Sequence, residues 1–204
     1  MTALNRSRKA RDVRRNMYAE NVATAVGPIS PGCEIYGLSR GQFSLIDLME
    51  HILDYSGPAD VVISTWTAAG ADIDYSLRLC GDGRIRSLLW LVDSSFQSRQ
   101  PGYCAAMREH FGDEAIRITE NHAKFVMFGN ETWHLVLRTS MNLNENRRLE
   151  SFEVSDDPNL YSYLAEVVGS LSDGTFDKSR QDHRLTFDTD TREHTPARGG
   201  VRYR

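Results

Sequence analysis

Short apolar runs alternate with amphipathic segments along the middle of this chain. Val61–Ile63 and Leu88–Val92 are continuously apolar, which is typical of central strands covered on both faces of a sheet. Apolar residues also recur at helical spacing, as in the segment that begins after Ser44 and stops at Gly57. Strands that alternate with helices in this way predict an α/β fold, with helices packed on the faces of the sheet.

The same patterns place further elements on both sides of this region. They are marked by Pro, Gly or Asp at their ends and by apolar residues within them. We expect helices over Gly70–Leu79, from Pro101 to Phe111 and after Asp156, and strands at Glu34–Tyr36, at Ile116–Ile118 and from Glu150 onward.

A β-hairpin is predicted over residues 122–139. It consists of an apolar, aromatic strand that starts at His122, a turn at Gly129–Thr132 and a returning strand that starts at Trp133. If this turn closes the hairpin, Phe128 pairs with Trp133, and His122 lies near the open end.

Polar side chains would converge at that open end. His122 and Lys124 share one face of the first strand, about 6–7 Å apart, and Ser140 and Asn142 emerge beside them after the second strand. A neutral imidazole can attack phosphorus while lysine, hydroxyl and amide donors hold the non-bridging oxygens, so that no metal is required. The same residues also fit the solvent-exposed end of an ordinary hairpin.

His122-x-Lys124, followed by Ser140-x-Asn142 and by Glu150 at the start of an apolar strand, resembles the HKD motif of the phospholipase D superfamily. The resemblance implies a phospholipase D-like mixed β-sheet flanked by helices on both faces. It also implies a role for each residue of the motif. His122 would be the covalent nucleophile, Lys124 and Asn142 would bind the phosphate, Glu150 would orient the histidine, and Ser140 would be an additional donor.

The resemblance extends over residues 60–168 in the order of elements, and three positions depart from the family pattern. Gly129 stands where the family has an aspartate, Thr139 where a small residue usually precedes the serine, and Arg148 where the family often has asparagine. The nucleophile and the phosphate-binding residues are retained. We therefore expect Gly129→Asp to be neutral or to raise stability or rate modestly.

The motif occurs once, whereas a complete site in this superfamily uses two copies. The resemblance therefore implies a homodimer in which two His122 residues meet, one attacking phosphorus and the other protonating the leaving oxygen. Single-motif members of about this size form the nuclease-like branch of the family. We expect a metal-independent phosphodiesterase, most simply a nuclease, without a cofactor.

Two alternatives remain open at this stage. Gly129 and the basic terminal segments favour a catalytically degenerate nucleic-acid-binding or assembly protein that has kept the fold. A phosphoryl transferase with an acceptor other than water is the other alternative. Either nuclease or binding protein would use basic residues to contact phosphates. The candidates are Arg6, Arg8, Lys9, Arg11, Arg14, Arg15, Arg138, Arg147 and Arg148.

The punctuated segment Gly27–Gly32 suggests a domain boundary. We expect a basic N-terminal arm over residues 1–26, which could be helical, and the phospholipase D-like domain over residues 27–171. The polar sequence over residues 172–204 is typical of a tail that is disordered until it is bound.

Composition narrows the setting of the protein. The 204 residues are 40% hydrophobic and 25% charged, which is typical of a globular domain. The net charge of −4 excludes a uniformly polyanion-binding surface, so nucleic acid would have to meet a local basic patch. Three cysteines without metal-ligand spacing, no signal peptide and no long apolar run predict a cytoplasmic protein without a membrane partner.

Overall fold

The computed structural model of the chain describes residues 12–143 and 147–172. Within them, eight strands form a single mixed sheet in the order β1-β2-β8-β7-β6-β3-β4-β5. The strands are β1 (Val13–Met17), β2 (Glu34–Ser39), β3 (Ala59–Thr65), β4 (Ile85–Asp93), β5 (Ile116–Thr119), β6 (Phe125–Gly129), β7 (His134–Thr139) and β8 (Glu150–Asp156).

Helices cover both faces of this sheet, and a short 3-10 turn at Asp113–Ala115 precedes β5. The helices are α1 (Val22–Val26), α2 (Leu45–Ser56), α3 (Gly70–Gly81), α4 (Ser94–Arg99), α5 (Pro101–Phe111) and α6 (Pro158–Ser172). Side chains alternate along the central strands: Val61 and Ile63 pack with α1–α5, and Val62 packs with α6. The predicted fold class, an α/β mixed sheet with helices on both faces, is confirmed.

Helix α2 shows how local sequence defines an element of this core. The Ser44 hydroxyl accepts a hydrogen bond from the Asp47 amide at 3.1 Å, and the Asp47 carboxylate accepts one from the Ser44 amide at 2.6 Å. This capping box begins the helix, and Gly57, with φ of 71°, ends it. Leu48 and Ile52 are fully buried, and burial of each contributes about 1.5–3 kcal/mol.

The strand directions bring five chain segments to one edge of the sheet. β3 runs parallel to β4 and antiparallel to β6, and β7 and β8 continue the antiparallel alternation. The carboxyl ends of β3, β4 and β7 therefore meet the amino ends of β6 and β8. This edge carries the polar residues singled out in the sequence.

The hairpin forms, but with a register different from the predicted one. Phe128 pairs with Leu135 rather than with Trp133. The Asn130 carboxamide oxygen accepts the Trp133 amide at 2.8 Å, and the Asn130 amide donates to the Trp133 carbonyl at 3.1 Å, so Trp133 belongs to the loop. Because the shift is two residues, the same side chains still share each face.

The first strand also begins later than predicted. β6 starts at Phe125, and residues 121–124 form an irregular segment before it. The Thr139 amide donates to the Lys124 carbonyl at 3.2 Å. The hydrogen bonding between β6 and β7 therefore continues one residue before β6, to Lys124.

Residues 12–26 pair with β2 and pack into the core, although they fall within the basic arm expected from the sequence. β1 pairs in parallel with β2, and Ala25 and Val26 of α1 are buried in the core. Arg14 Nη1 donates to the Val26 carbonyl at 2.8 Å, and the Asn16 amide donates to the Ala25 carbonyl. These two polar side chains bind the end of α1, which explains why β1 lacks an apolar face.

Several expectations fall outside the described residues. They concern the arm residues Arg6, Arg8, Lys9 and Arg11 and the tail from residue 173 onward. In the part of the chain that is described, no helix is both long enough and apolar enough to cross a membrane.

Candidate active site

His122 and Lys124 lie together at the amino end of β6. Lys124 Nζ is 3.5 Å from His122 Nδ1 and donates to the His122 carbonyl at 3.1 Å. The imidazole is exposed, whereas Lys124 is half-buried. A cation is therefore held beside a solvent-accessible imidazole.

Asn121 fixes the backbone on both sides of His122. Its amide Nδ2 donates to Ser64 Oγ at 2.9 Å and to the Leu91 carbonyl at 3.2 Å, and its Oδ1 accepts the Ala123 amide at 2.9 Å. Ser64 Oγ in turn donates to the Ala123 carbonyl at 2.8 Å. These bonds tie the His122 segment to β3 and β4. Asn121 was not among the site residues predicted from the sequence.

Asp93, at the end of β4, completes this support. Its carboxylate accepts the Asn121 amide at 3.0 Å and the Ser95 amide at 2.9 Å. Burial raises the pKa of Asp93, but hydrogen bonds from Ser95 and Asn121, together with the nearby charge of Arg99, outweigh it and hold the pKa below its ordinary value. Asp93 is thus an ionised anchor at neutral pH.

An aromatic ring and a second cation adjoin the imidazole. The Trp66 and His122 ring centroids are 5.8 Å apart. The Arg99 guanidinium carbon lies 3.8 Å from the Trp66 ring centroid, within the range of a cation–π contact. Trp66 immediately follows β3, and Arg99 is the last residue of α4, the helix that follows β4. This stack was not predicted from the sequence.

Ser140 and Glu150 form the other side of the site. Ser140 Oγ donates to the Glu150 carboxylate and accepts the Ser151 amide at 2.9 Å. A hydroxyl has one proton to donate, so in this geometry Ser140 positions Glu150 rather than serving as the additional phosphate donor that the resemblance implies. The backbone of Ser140 is fixed as well, because its amide donates to the Ser151 carbonyl at 3.0 Å.

The charge of Glu150 reaches Lys124. Burial lowers the pKa of the Lys124 ammonium below its ordinary value, and the negative charge of Glu150 partly opposes that effect. Contacts and electrostatics thus link His122 to Lys124, Lys124 to Glu150 and Glu150 to Ser140.

Asn142 lines a narrow pocket together with Glu150 and Ser39. Its Oδ1 is buried and has no hydrogen-bond donor within the described residues, and the same holds for Ser39 Oγ. An unsatisfied buried polar group costs about 1–3 kcal/mol. The Ala69 amide donates to the Leu143 carbonyl at 2.7 Å, which ties this segment to the loop after β3.

The predicted phosphate-contacting arginines have different environments. Arg14 bonds to carbonyls within the fold and forms an ion pair with Asp12 at 3.1 Å, so it is engaged in structure. Arg138 forms an ion pair with Glu153 and helps to line a cavity of about 280 Å³ that reaches Ser140. The remaining described candidates are exposed on β1 and before β8: Arg15, Arg147 and Arg148.

Tyr161 of α6 occupies the space above Gly129, where the resemblance described above implies an aspartate. A Cβ atom added at Gly129 would lie 2.1 Å from Tyr161 Oη and 2.8 Å from its Cζ. Burial, and secondarily the charge of Asp60, raises the pKa of Tyr161. A side chain at position 129 would therefore require Tyr161 to move, which argues against the expectation that Gly129→Asp is neutral or favourable.

The donors at this edge of the sheet suit an anion. Lys124 and Arg99 each contribute a positive charge at the strand ends. Across residues 12–143 and 147–172, no group of three or more His, Cys, Asp or Glu side chains could hold a metal ion. The arrangement offers an imidazole and fixed cations to a negatively charged ligand such as a phosphodiester.

No protein-family model matches this sequence, and no curated protein matches it. Two solved structures are similar to it at 12% identity. Polyphosphate kinase from Porphyromonas gingivalis aligns with a TM-score of 0.49 over 69% of this chain and 26% of that chain, so the match spans only a minor part of the kinase. NucT from Helicobacter pylori aligns with a TM-score of 0.48 over 69% of this chain and 96% of that chain. Neither likeness is close enough to carry an inference about the site.

Proposed function

We propose that this protein is a metal-independent phosphodiesterase of the phospholipase D type, acting as a nuclease with His122 as its nucleophile. The observation that carries the proposal is the His122–Lys124 pair, with Lys124 Nζ 3.5 Å from His122 Nδ1 at the end of a rigid sheet. The anchoring of Asn121 to β3 and β4 supports it, since a nucleophile must be held in an attacking position.

The chemistry starts with His122 Nε2. The contact of 3.5 Å between Lys124 and Nδ1 is too long for a strong hydrogen bond, so the ammonium can turn to a non-bridging oxygen. Attack through Nε2 requires the neutral tautomer that carries its proton on Nδ1. Nε2 then attacks phosphorus, an N–P bond forms, and the bond from phosphorus to the leaving oxygen breaks. Lys124 stabilises the charge on the phosphoryl oxygens during this step.

The leaving oxygen takes its proton from a second imidazole. We propose that His122 of a second copy of the chain supplies it, since this chain carries one HKD-like motif. Water then attacks the phosphohistidine and gives its proton to that second imidazole, which releases the phosphorylated product and restores both histidines. The active species is accordingly a two-fold dimer.

The test is hydrolysis of single-stranded DNA, RNA and bis(para-nitrophenyl) phosphate in excess chelator. Wild type should turn over at least one of them, and His122→Asn should lose turnover while keeping its melting temperature. His110→Asn is the matched control, because His110 is exposed on α5. Equal activity of His122→Asn and wild type would refute the assignment of the nucleophile.

A nucleic-acid-binding protein without turnover is the second candidate. Tyr161 favours it, since this side chain fills the position of the family aspartate above Gly129, and exposed Arg15 and Arg147 could contact phosphates. Wild type that hydrolyses none of the three substrates, yet binds DNA or RNA as tightly as His122→Asn does, would establish this candidate over the nuclease.

A further inference from the structure

Arg99 presents a fixed guanidinium beside the candidate nucleophile. Its guanidinium carbon lies 3.8 Å from the Trp66 ring centroid, its Nε donates to Ser95 Oγ at 3.1 Å, and its Nη2 donates to the Trp66 carbonyl at 3.3 Å. An arginine side chain carries about 2 kcal/mol of rotamer entropy. Because Arg99 is already ordered, binding an anion would not have to overcome most of that cost.

Most of the donors of Arg99 remain available. A guanidinium has five N–H groups, and two of them are used by Ser95 and the Trp66 carbonyl. Within residues 12–143 and 147–172, Arg99 forms no ion pair with a carboxylate; Asp93 senses its charge without direct contact. An exposed arginine that is held in place yet keeps a fork of donors is suited to bind a phosphate.

The spacing to His122 indicates which phosphate this would be. The Trp66 ring centroid lies 5.8 Å from the His122 ring centroid and 3.8 Å from the Arg99 guanidinium carbon. The guanidinium is therefore within about 10 Å of the imidazole, a span longer than the axial rise of about 3.4 Å per phosphate of one DNA strand. This distance allows Arg99 and His122 to contact two phosphates of the same strand.

We propose that Arg99, supported by Trp66, binds a second phosphate of the substrate next to the scissile one. The inference rests on the proposed function and specifies its substrate class: a nucleic-acid strand with successive phosphodiesters, rather than an isolated diester. An isolated diester has only the phosphate that His122 attacks, so it leaves the donors of Arg99 unoccupied. A nucleic-acid strand has a second phosphate that can bind them.

Two substrates test this inference. Arg99→Gln should lower kcat/KM on a short oligothymidylate about tenfold to a hundredfold more than on bis(para-nitrophenyl) phosphate, as expected for loss of a hydrogen-bonded charge. Arg99→Lys keeps the charge but not the planar fork, and should lie between wild type and Arg99→Gln. Arg108→Gln is the matched control, since Arg108 forms a surface ion pair with Asp113 at 3.3 Å away from the stack.

Equal loss on both substrates would overturn the inference, because Arg99 would then act on His122 through Trp66. An effect on neither substrate, or the same effect in Arg108→Gln, would also overturn it.

A binding measurement distinguishes failure of the Arg99 inference from failure of the nuclease proposal. In the His122→Asn background, Arg99→Gln should make the slope of log Kd for oligothymidylate against log salt shallower by about 0.7, the value for one phosphate contact on a single strand. That change without turnover by wild type would refute the nuclease and retain the Arg99 contact. Turnover by wild type with an unchanged slope would refute the contact and retain the nuclease.

Discussion

Gly129 lies in β6 between two neighbouring strands, paired with Asp60 of β3 and His134 of β7. We predict that Gly129→Ala destabilises the protein by about 1–2 kcal/mol. An alanine in a strand should gain about 0.5–1 kcal/mol over glycine from backbone entropy alone. Here, however, its Cβ would lie 2.1 Å from Tyr161 Oη, and overpacking of this kind costs about 1–3 kcal/mol.

The phenol can relieve the clash only by leaving its site. Tyr161 packs against Met127 of β6 and Val168 of α6 in the apolar cluster beneath this helix. Its ring stands edge-on to His134, with the ring centroids 5.1 Å apart. Moving the ring away forfeits part of the roughly 1.5–3 kcal/mol that burial of a large side chain contributes. Whether the ring stays and is overpacked or moves and loses burial, the cost exceeds the entropic gain. Gly129→Asp should be worse still, since it adds a carboxylate close to Asp60 in the adjacent strand.

Urea unfolding followed by circular dichroism measures the effect. Gly169→Ala is the matched control: Gly169 lies within α6 with no atom within 4 Å of an added Cβ, so alanine there should stabilise the protein by about 0.8–1 kcal/mol. Tyr161→Ala should abolish most of the extra cost of Gly129→Ala in a double-mutant cycle. Gly129→Ala with wild-type stability, or a cost unchanged by Tyr161→Ala, would refute the steric argument.

Three further predictions concern charge and assembly. Lys124→Met should abolish hydrolysis without lowering stability, because burial disfavours the ammonium in the folded protein. Relative to this variant, wild type should gain stability as pH rises from the lowered pKa of Lys124 towards 10.5. A clearly lower stability of Lys124→Met than of wild type in urea unfolding at neutral pH would contradict this reasoning. Removal of residues 1–11, which carry four basic residues, should make the slope of log Kd for single-stranded DNA against log salt shallower by up to about 3. An unchanged slope would exclude them from the interface. Light scattering should show a dimer at micromolar concentration, and a strict monomer would count against the shared site.

The elements that the sequence predicts well are those whose apolar pattern matches their burial. Helix α2 follows Ser44 and stops at Gly57, and β3 contains the continuous apolar run Val61–Ile63, as expected. Strand β1 was missed because its inward positions are Arg14 and Asn16, whose side chains bind the carbonyl groups of α1. Polar residues that satisfy a neighbouring helix end leave no hydrophobic alternation to detect.

The sequence predicts the site only where its residues are close together along the chain. His122 and Lys124 are two residues apart, and their proximity follows from local backbone geometry. Trp66 and Arg99 come from different strand–helix connections, and only the parallel pairing of β3 with β4 brings them together. The hairpin register depended on Asn130, whose hydrogen bonds draw Trp133 into the loop.

The anchoring of Asn121 has a consequence for the opening dynamics of the site. The amide of Asn121 donates to Asp93, and that of Ala123 donates to the Asn121 side chain, although both residues lie in a loop. Their amide hydrogens can exchange with solvent deuterium only when the attachment to β3 and β4 is lost. They should therefore exchange on the slow timescale of the central strands rather than on that of surface loops. Slow exchange at these two amides would show that the segment carrying the exposed histidine opens together with the central strands.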